Sequence, residues 1–209
     1  GYIGSHTVVE LQSEGHEVVV IDNLSNSRED VKQRIEKISG KPFEVHIGDV
    51  NNGSLLDKLF ADHDFDGVIH FAAYKAVGES VDHPIMYYQN NVGGLISLLA
   101  AMDKAAVSNL IFSSSCTVYG ATKELPVTES TPIQAAESPY GTSKILCEDI
   151  IRDFTKHKEL KSILLRYFNP VGAHPSALIG ELPLGIPNNL VPYITQTAAG
   201  IREQLTVYG

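Results

Sequence analysis

The chain has 209 residues, 43% of them hydrophobic, and its 16 Lys and Arg against 25 Asp and Glu leave a formal net charge of -9. That is material for one domain, or one and part of another, and the acidic balance argues against a nucleic-acid binder, which needs a basic surface excess. Cys116 and Cys147 lack metal-ligand spacing and read as reduced thiols, and no apolar run is long enough to span a bilayer, so no membrane partner and a cytoplasmic setting are expected.

The opening "GYIGSH" pairs Gly1 with Gly4 just before a helix predicted over 5–13. Such glycines let a backbone approach a pyrophosphate at a helix N-terminus, where free N–H groups and the dipole favour anions. Taken alone, the pair is equally an ordinary tight turn. The loop looks incomplete and the first residue is not Met, so a preceding glycine and strand are expected upstream of residue 1. A strand over 17–22 ends at Asp22, near the ~20-residue spacing at which a carboxylate accepts from the adenosine ribose hydroxyls. An acid there repels a 2′-phosphate and favours NAD over NADP, with Arg28 a slight counterweight. Helix 28–38, strand 43–49, helix 54–61 and strand 67–73 follow, then helix 91–106, strand 110–115, helix 141–156 and strand 162–169. The alternation predicts an α/β fold, a doubly wound parallel sheet of the Rossmann type with its strands buried on both faces. Past residue 170, Gly, Pro and Asn concentrate. The expected division is a nucleotide-binding domain over 1–169 and the beginning of a substrate-facing region over 170–209.

Tyr140 and Lys144 stand four apart at the head of a helical pattern, on one face, where an ammonium lowers a phenol from its usual ~10. Tyr119 and Lys123 share the spacing, but Gly120 and Pro126 argue against a helix there. Ser113, Ser114 and Ser115 end a strand at the carboxyl edge where parallel sheets bind ligands. The expected role of the first two is local turning. Lys75 follows "HFAAY" and suits a cofactor phosphate or ribose, or solvent. His46, His63 and His70 share no metal-ligand spacing and read as structural or surface residues, so no metal is expected.

Together "GYIGSH", "IDNLSNS", "GDV", "HFAAYKAVGES", "SSSCTVYG", "SPYGTSK" and "LRYFNPVGAHPS" resemble the extended short-chain dehydrogenase/reductase superfamily, and within it the UDP-glucose 4-epimerase family. The resemblance covers essentially the whole chain. It implies NAD held by Gly1, Tyr2, Ile3 and Gly4, by Asp22, Asn23, Leu24, Ser25, Asn26 and Ser27, and by Asp49 and Val50. It adds Phe71, Ala72, Ala73 and Lys75, then Asn90, Tyr140, Lys144 and Phe168. It implies Ser115, Tyr140 and Lys144 as catalytic residues, and a UDP-sugar facing Ser115, Tyr140, Asn169, Asn189, Leu190, Thr206, Val207 and Tyr208. The implied activity is interconversion of UDP-glucose and UDP-galactose through a 4-keto sugar, by a homodimer meeting through a helical face over 91–106. A later arginine of the family has no counterpart by Gly209, so residues 1–209 alone are expected to be inactive. Three rivals stay open: a 4-epimerase of a UDP-N-acetylhexosamine or UDP-pentose, a nucleotide-sugar 4,6-dehydratase, and a non-catalytic nucleotide-binding protein. Cys116 and Thr117 stand where the dehydratases resembled here carry an Asp-Glu pair.

Overall fold

The structure, a computed structural model, describes residues 1–187 and 189–207. In chain order α1 (Tyr2–Ser13), β1 (Val19–Asp22), α2 (Asp30–Ser39) and β2 (Glu44–Ile47) precede α3 (Gly53–Asp62) and β3 (Val68–His70). Next come α4 (Val77–Asp82), α5 (Pro84–Tyr87), a π-helical turn over Tyr88–Gly93, and α6 (Gly94–Lys104). β4 (Asn109–Ser113), a 3-10 turn over Cys116–Tyr119, α7 (Pro139–His157), β5 (Lys161–Leu165) and α8 (Leu190–Ala198) follow. The chain forms two compact units, residues 1–47 with 169–209, and residues 48–168.

In the first unit β1 and β2 pair in parallel, Val19 opposite Glu44 through Asp22 opposite Ile47. Parallel neighbours need a crossover, which α2 supplies. Ser5, Val8, Val9 and Gln12 form the buried stripe of α1, the helical spacing of an amphipathic face. Val8, Val9, Ile35 and Ile179 are the core, with Val20, Val31, Ile38 and Phe43 packed against them. Gln12 is buried at no loss of hydrogen bonding by its amide nitrogen, which donates to the Lys41 and Pro42 carbonyls at 3.4 and 3.3 Å. α2 stops at Gly40, whose φ of 68° is the left-handed conformation that glycine adopts without a Cβ clash.

In the second unit the parallel order is β3-β4-β5. The middle strand is the most apolar in its surroundings, with Leu110 and Phe112 buried. Leu95, Leu98, Leu99 and Met102 of α6 and Cys147 and Ile151 of α7 are buried with them. α7 starts where the sequence has the signals for it: the Ser138 hydroxyl accepts from the Gly141 amide at 3.2 Å, and Pro139 takes the first position, which needs no N–H.

Three expectations are corrected. Burial of the strands on both faces is incomplete: on β4 only Leu110 and Phe112, which share a face, are buried, and Ile163 on β5, an end strand of its sheet, is 57% exposed. The helical run before β4 begins at Val77 rather than at residue 91, because Pro84 sits at the head of α5, where its missing N–H breaks no helix. The Gly- and Pro-rich stretch after 170 contains a helix, α8, whose Pro192 falls within the first turn and is tolerated for the same reason.

Candidate active site

Within the second unit, the carboxyl end of β4 meets the first two turns of α7. Ser115 lies just past β4, its backbone extended, and heads the 3-10 turn by accepting from the Thr117 amide at 3.3 Å. Tyr140 and Lys144 occupy successive turns of α7 and are both buried. The Lys144 ammonium donates to the Ser113 carbonyl at 2.8 Å and lies 4.9 Å from the Phe112 ring centroid and 5.9 Å from that of Tyr140. One side chain thus ties the strand end to the helix face that carries Tyr140. Burial pushes its amine down to about 8.

The phenol departs from expectation. Burial pushes Tyr140 above its ordinary value, Ser115 pulls it back by a hydrogen bond, and Cys116 adds a smaller upward push. Lys144 spends its hydrogen bond on a carbonyl, and burial remains the largest influence on the phenol. His70 of β3 stands opposite Phe112 of β4, their ring centroids 5.8 Å apart. Burial, then the neighbouring Lys144, lower it to about 3, so it is a neutral packing residue as the sequence suggested. Tyr119 sits in the 3-10 turn, which ends at Gly120, and its hydroxyl accepts from Arg166 at 3.0 Å. The second Tyr-x-x-x-Lys match is therefore not on a helix.

The segment holding Phe71, Ala72, Ala73 and Lys75 is clamped by a residue that sequence reasoning did not single out. Asn91, buried in the π-helical turn, accepts from the Tyr74 amide at 2.8 Å and donates to the Tyr74 carbonyl at 3.0 Å and the Ser143 hydroxyl at 3.1 Å. Asn90 donates to the same Asn91 side chain at 2.9 Å. Tyr87, fully buried, accepts from the Ala76 amide at 3.0 Å, while its hydroxyl faces the Ala76 carbonyl at 2.8 Å and Glu79 at 2.7 Å. π-helical turns favour functional sites, but nothing in the local sequence announces one. Asp49 accepts from the Asn51 amide at 2.8 Å, and buried Val50 fits against Gly94, where a Cβ would stand 2.7 Å from its Cγ1. Phe168 is exposed.

The first unit gathers the other set. Gly1 heads α1 with no side-chain cap, and Tyr2, Ile3 and Gly4 form its first turn, with the Tyr2 hydroxyl donating to the Gly172 carbonyl at 2.9 Å. Asp22 organises the turn after β1: its carboxylate accepts from the Leu24 amide at 2.8 Å and the Ser27 hydroxyl at 3.0 Å. Leu24 adopts φ 57°, and Asn23 accepts from the Ser25 amide at 3.0 Å, so the stretch from Asp22 to Ser27, Asn26 included, is one folded turn. Asn189 donates to Glu181 and heads α8, whose first residue, Leu190, is exposed, as are Asn169, Thr206 and Val207. Tyr208 lies outside the described residues.

The sequence pattern of the NAD dependent epimerase/dehydratase family matches residues 1–209. A UDP-glucose 4-epimerase of Haemophilus influenzae is 54% identical over 210 aligned residues, which cover 100% of this chain and 62% of that protein. The UDP-glucose 4-epimerase of Bifidobacterium longum, solved in complex with NAD+ and UDP, superposes with a TM-score of 0.97 at 49% identity, covering 100% of this chain and 63% of the other. That of Stenotrophomonas maltophila, solved with bound NAD and formylated UDP-arabinopyranose, gives a TM-score of 0.96 at 47% identity and covers 100% and 62%. The chain therefore spans a little under two thirds of the length of the relatives it matches. Its fold class is theirs, the doubly wound α/β arrangement expected from the alternating strands and helices.

Proposed function

The chain belongs to the NAD dependent epimerase/dehydratase family, and on that premise we propose that the protein containing it interconverts UDP-glucose and UDP-galactose by inversion at carbon 4, with NAD as cofactor. The observation that carries this reading is the convergence at the end of β4 of Ser115, which bears on the phenol's proton affinity, with Tyr140 and Lys144 on successive turns of α7, the buried amine tied to the strand end. A non-catalytic binder has no use for that trio.

The residues fit NAD on their own chemistry. The first-turn amides of α1 have no side-chain cap, so backbone donors are available to a pyrophosphate. Asp22, at the end of β1, retains lone pairs beyond those its own turn uses and suits two ribose hydroxyls. Tyr2, Ile3, Gly4, the turn to Ser27, Asp49, Val50, the segment 71–75, Asn90, Tyr140, Lys144 and Phe168 would hold the cofactor. NAD supplies, when bound, the hydride acceptor for carbon 4 and the positive charge of its oxidised ring.

The protein supplies the proton chemistry. Tyr140 Oη takes the proton of the sugar's 4-hydroxyl and returns it to the same oxygen after the sugar has turned, so the residue ends as it began. Ser115 Oγ, beside the phenol, also reaches that oxygen and holds it in line. Lys144 orients Tyr140 and adds positive charge; since burial alone raises the phenol, a further cation is needed before phenolate forms near neutral pH. Dehydration is disfavoured, because Thr117 Oγ1 is buried without a hydrogen-bond partner and Cys116 is a thiol raised by burial, so neither offers a carboxyl acid or base.

The UDP-sugar would face Ser115 and Tyr140 and also Asn169, Asn189, Leu190, Thr206, Val207 and Tyr208, with 1–169 acting as the NAD domain and 170–209 beginning the sugar-binding region. A homodimer joined through the face of α6 is part of the same reading, supported by Ile96, a large apolar residue 52% exposed on that helix. No helix among the described residues is long and apolar enough to cross a membrane, and a cytoplasmic setting is proposed. The test incubates the full-length protein with UDP-galactose and no added NAD. UDP-glucose is the expected product; conversion of a UDP-pentose or UDP-N-acetyl sugar instead keeps the mechanism and replaces the substrate, and no conversion of any of them overturns the reading.

A further inference from the structure

Two turns beyond Tyr140 and one beyond Lys144 on α7, Glu148 is completely buried. One of its oxygens accepts from the Ser114 hydroxyl at 2.6 Å and from Arg166 Nε at 2.9 Å, and the other from Arg166 Nη2 at 2.7 Å and from Arg152. Every lone pair of the carboxylate is engaged, and two guanidiniums hold it ionised. A structural ion pair would need only the arginines. What sets this one apart is where its arms end: Ser114 immediately precedes Ser115, and Arg166 reaches on through Nη1 to the Tyr119 hydroxyl at 3.0 Å, with its guanidinium 5.0 Å from the Tyr119 ring centroid. The Cys116 amide donates to the Tyr167 carbonyl at 2.9 Å, next to Arg166. The segment from Ser114 to Tyr119, which carries Ser115, is thus fastened at Ser114, Cys116 and Tyr119, and two of the three fastenings lead to one carboxylate on the helix that carries Tyr140 and Lys144.

We propose that Glu148 is a positioning residue, which sets the placement of the Ser115 hydroxyl against the Tyr140 phenol by tying the strand end to α7. This rests on the epimerase reading for its consequence in turnover, but the tie itself is a property of the chain. Ser115 alone caps its turn through one 3.3 Å bond, which leaves its rotation and height above the sheet to its neighbours. A shift of an ångström at such a hydroxyl costs on the order of 10²-fold in rate.

The test uses the full-length protein and UDP-galactose. Glu148→Gln is expected to lower kcat on the order of 10²-fold while KM and retained NAD stay close to wild type, the pattern of an interaction felt in the transition state. In a Ser115→Ala background the same substitution is expected to cost nothing further, because its effect runs through that hydroxyl. Ser114→Ala keeps the ion pairs and removes only the arm to the strand, so it lowers kcat in the same direction and serves if Glu148→Gln does not fold. Hydrogen exchange, which needs no turnover, is expected to rise over 114–119 in both variants and to stay unchanged over α7. Additive losses in the Ser115→Ala background, a change confined to KM, or unchanged exchange over 114–119 would overturn the proposal. An inactive wild type whose exchange rises as expected in the variants would instead sink the epimerase reading and leave the tie standing.

Discussion

Lys144 carries a stability cost that a single substitution exposes. Its amine is buried, its one hydrogen bond goes to the Ser113 carbonyl, and burial holds it down to about 8 against an ordinary 10.5. Between those values the unfolded chain binds the proton that the folded chain has released, so stability rises with pH across the window and is flat below it. At about 1.4 kcal/mol per pH unit, the gain from pH 8 to 10.5 is about 3 kcal/mol. Lys144→Met removes the group and with it this slope, at the cost of the bond to Ser113, an offset of about 1 kcal/mol that does not depend on pH once the amine is gone. Cys147, the adjacent buried thiol, is pushed up to about 11 from an ordinary 9, so between those values it lowers stability as pH rises, in wild type and variant alike, and drops out of their difference. Urea unfolding of the cofactor-free full-length protein and of Lys144→Met, at intervals from pH 7 to 10.5, should show the difference between their stabilities changing by about 3 kcal/mol in favour of wild type as pH rises. Parallel curves would falsify the burial of a charge-penalised amine at this position and remove the electrostatic reason for placing Lys144 there.

Other outcomes follow from the same geometry. Tyr140→Phe should abolish turnover of UDP-galactose with little loss of bound NAD, measured by product separation and cofactor content; near-normal turnover would refute the base assignment. Gly120→Ala should destabilise by about 1–3 kcal/mol in urea, because Gly120 has φ +55° and its Cβ would stand 2.7 Å from the Ala135 carbonyl oxygen; a neutral substitution would mean the turn relaxes freely. Tyr87→Phe removes the hydroxyl that serves both the amide and the carbonyl of Ala76 and meets Glu79, and should cost about 1–3 kcal/mol, with increased hydrogen exchange over 74–79 as the local sign. Unchanged exchange there would show that the segment is held by Asn91 alone.

Much of this protein was legible in one dimension, because the physics involved is local. The β-branched runs ending at Asp22 and at the three serines, and the apolar spacing of α1, α2 and α7, report which side of each element avoids water, and that alone predicts a parallel α/β fold. The Ser-Pro signal places Tyr140 and Lys144 on successive turns of one helix, and Gly120 takes Tyr119 out of contention, since caps and breakers act over three or four residues. What the tertiary structure alone decided depends on groups distant in sequence. Asn91 reaches Tyr74 and Ser143, Lys144 spends its proton on Ser113, and Glu148 joins Ser114 to Arg166. The direction of the Tyr140 shift belongs to the same class: spacing announces an ammonium nearby, but only the packing around the phenol shows that burial sets the direction. A side chain's neighbours along the chain fix its helix face, whereas its proton affinity and its partners are set by whatever the fold brings within a few ångströms, and that is a property of the assembled core.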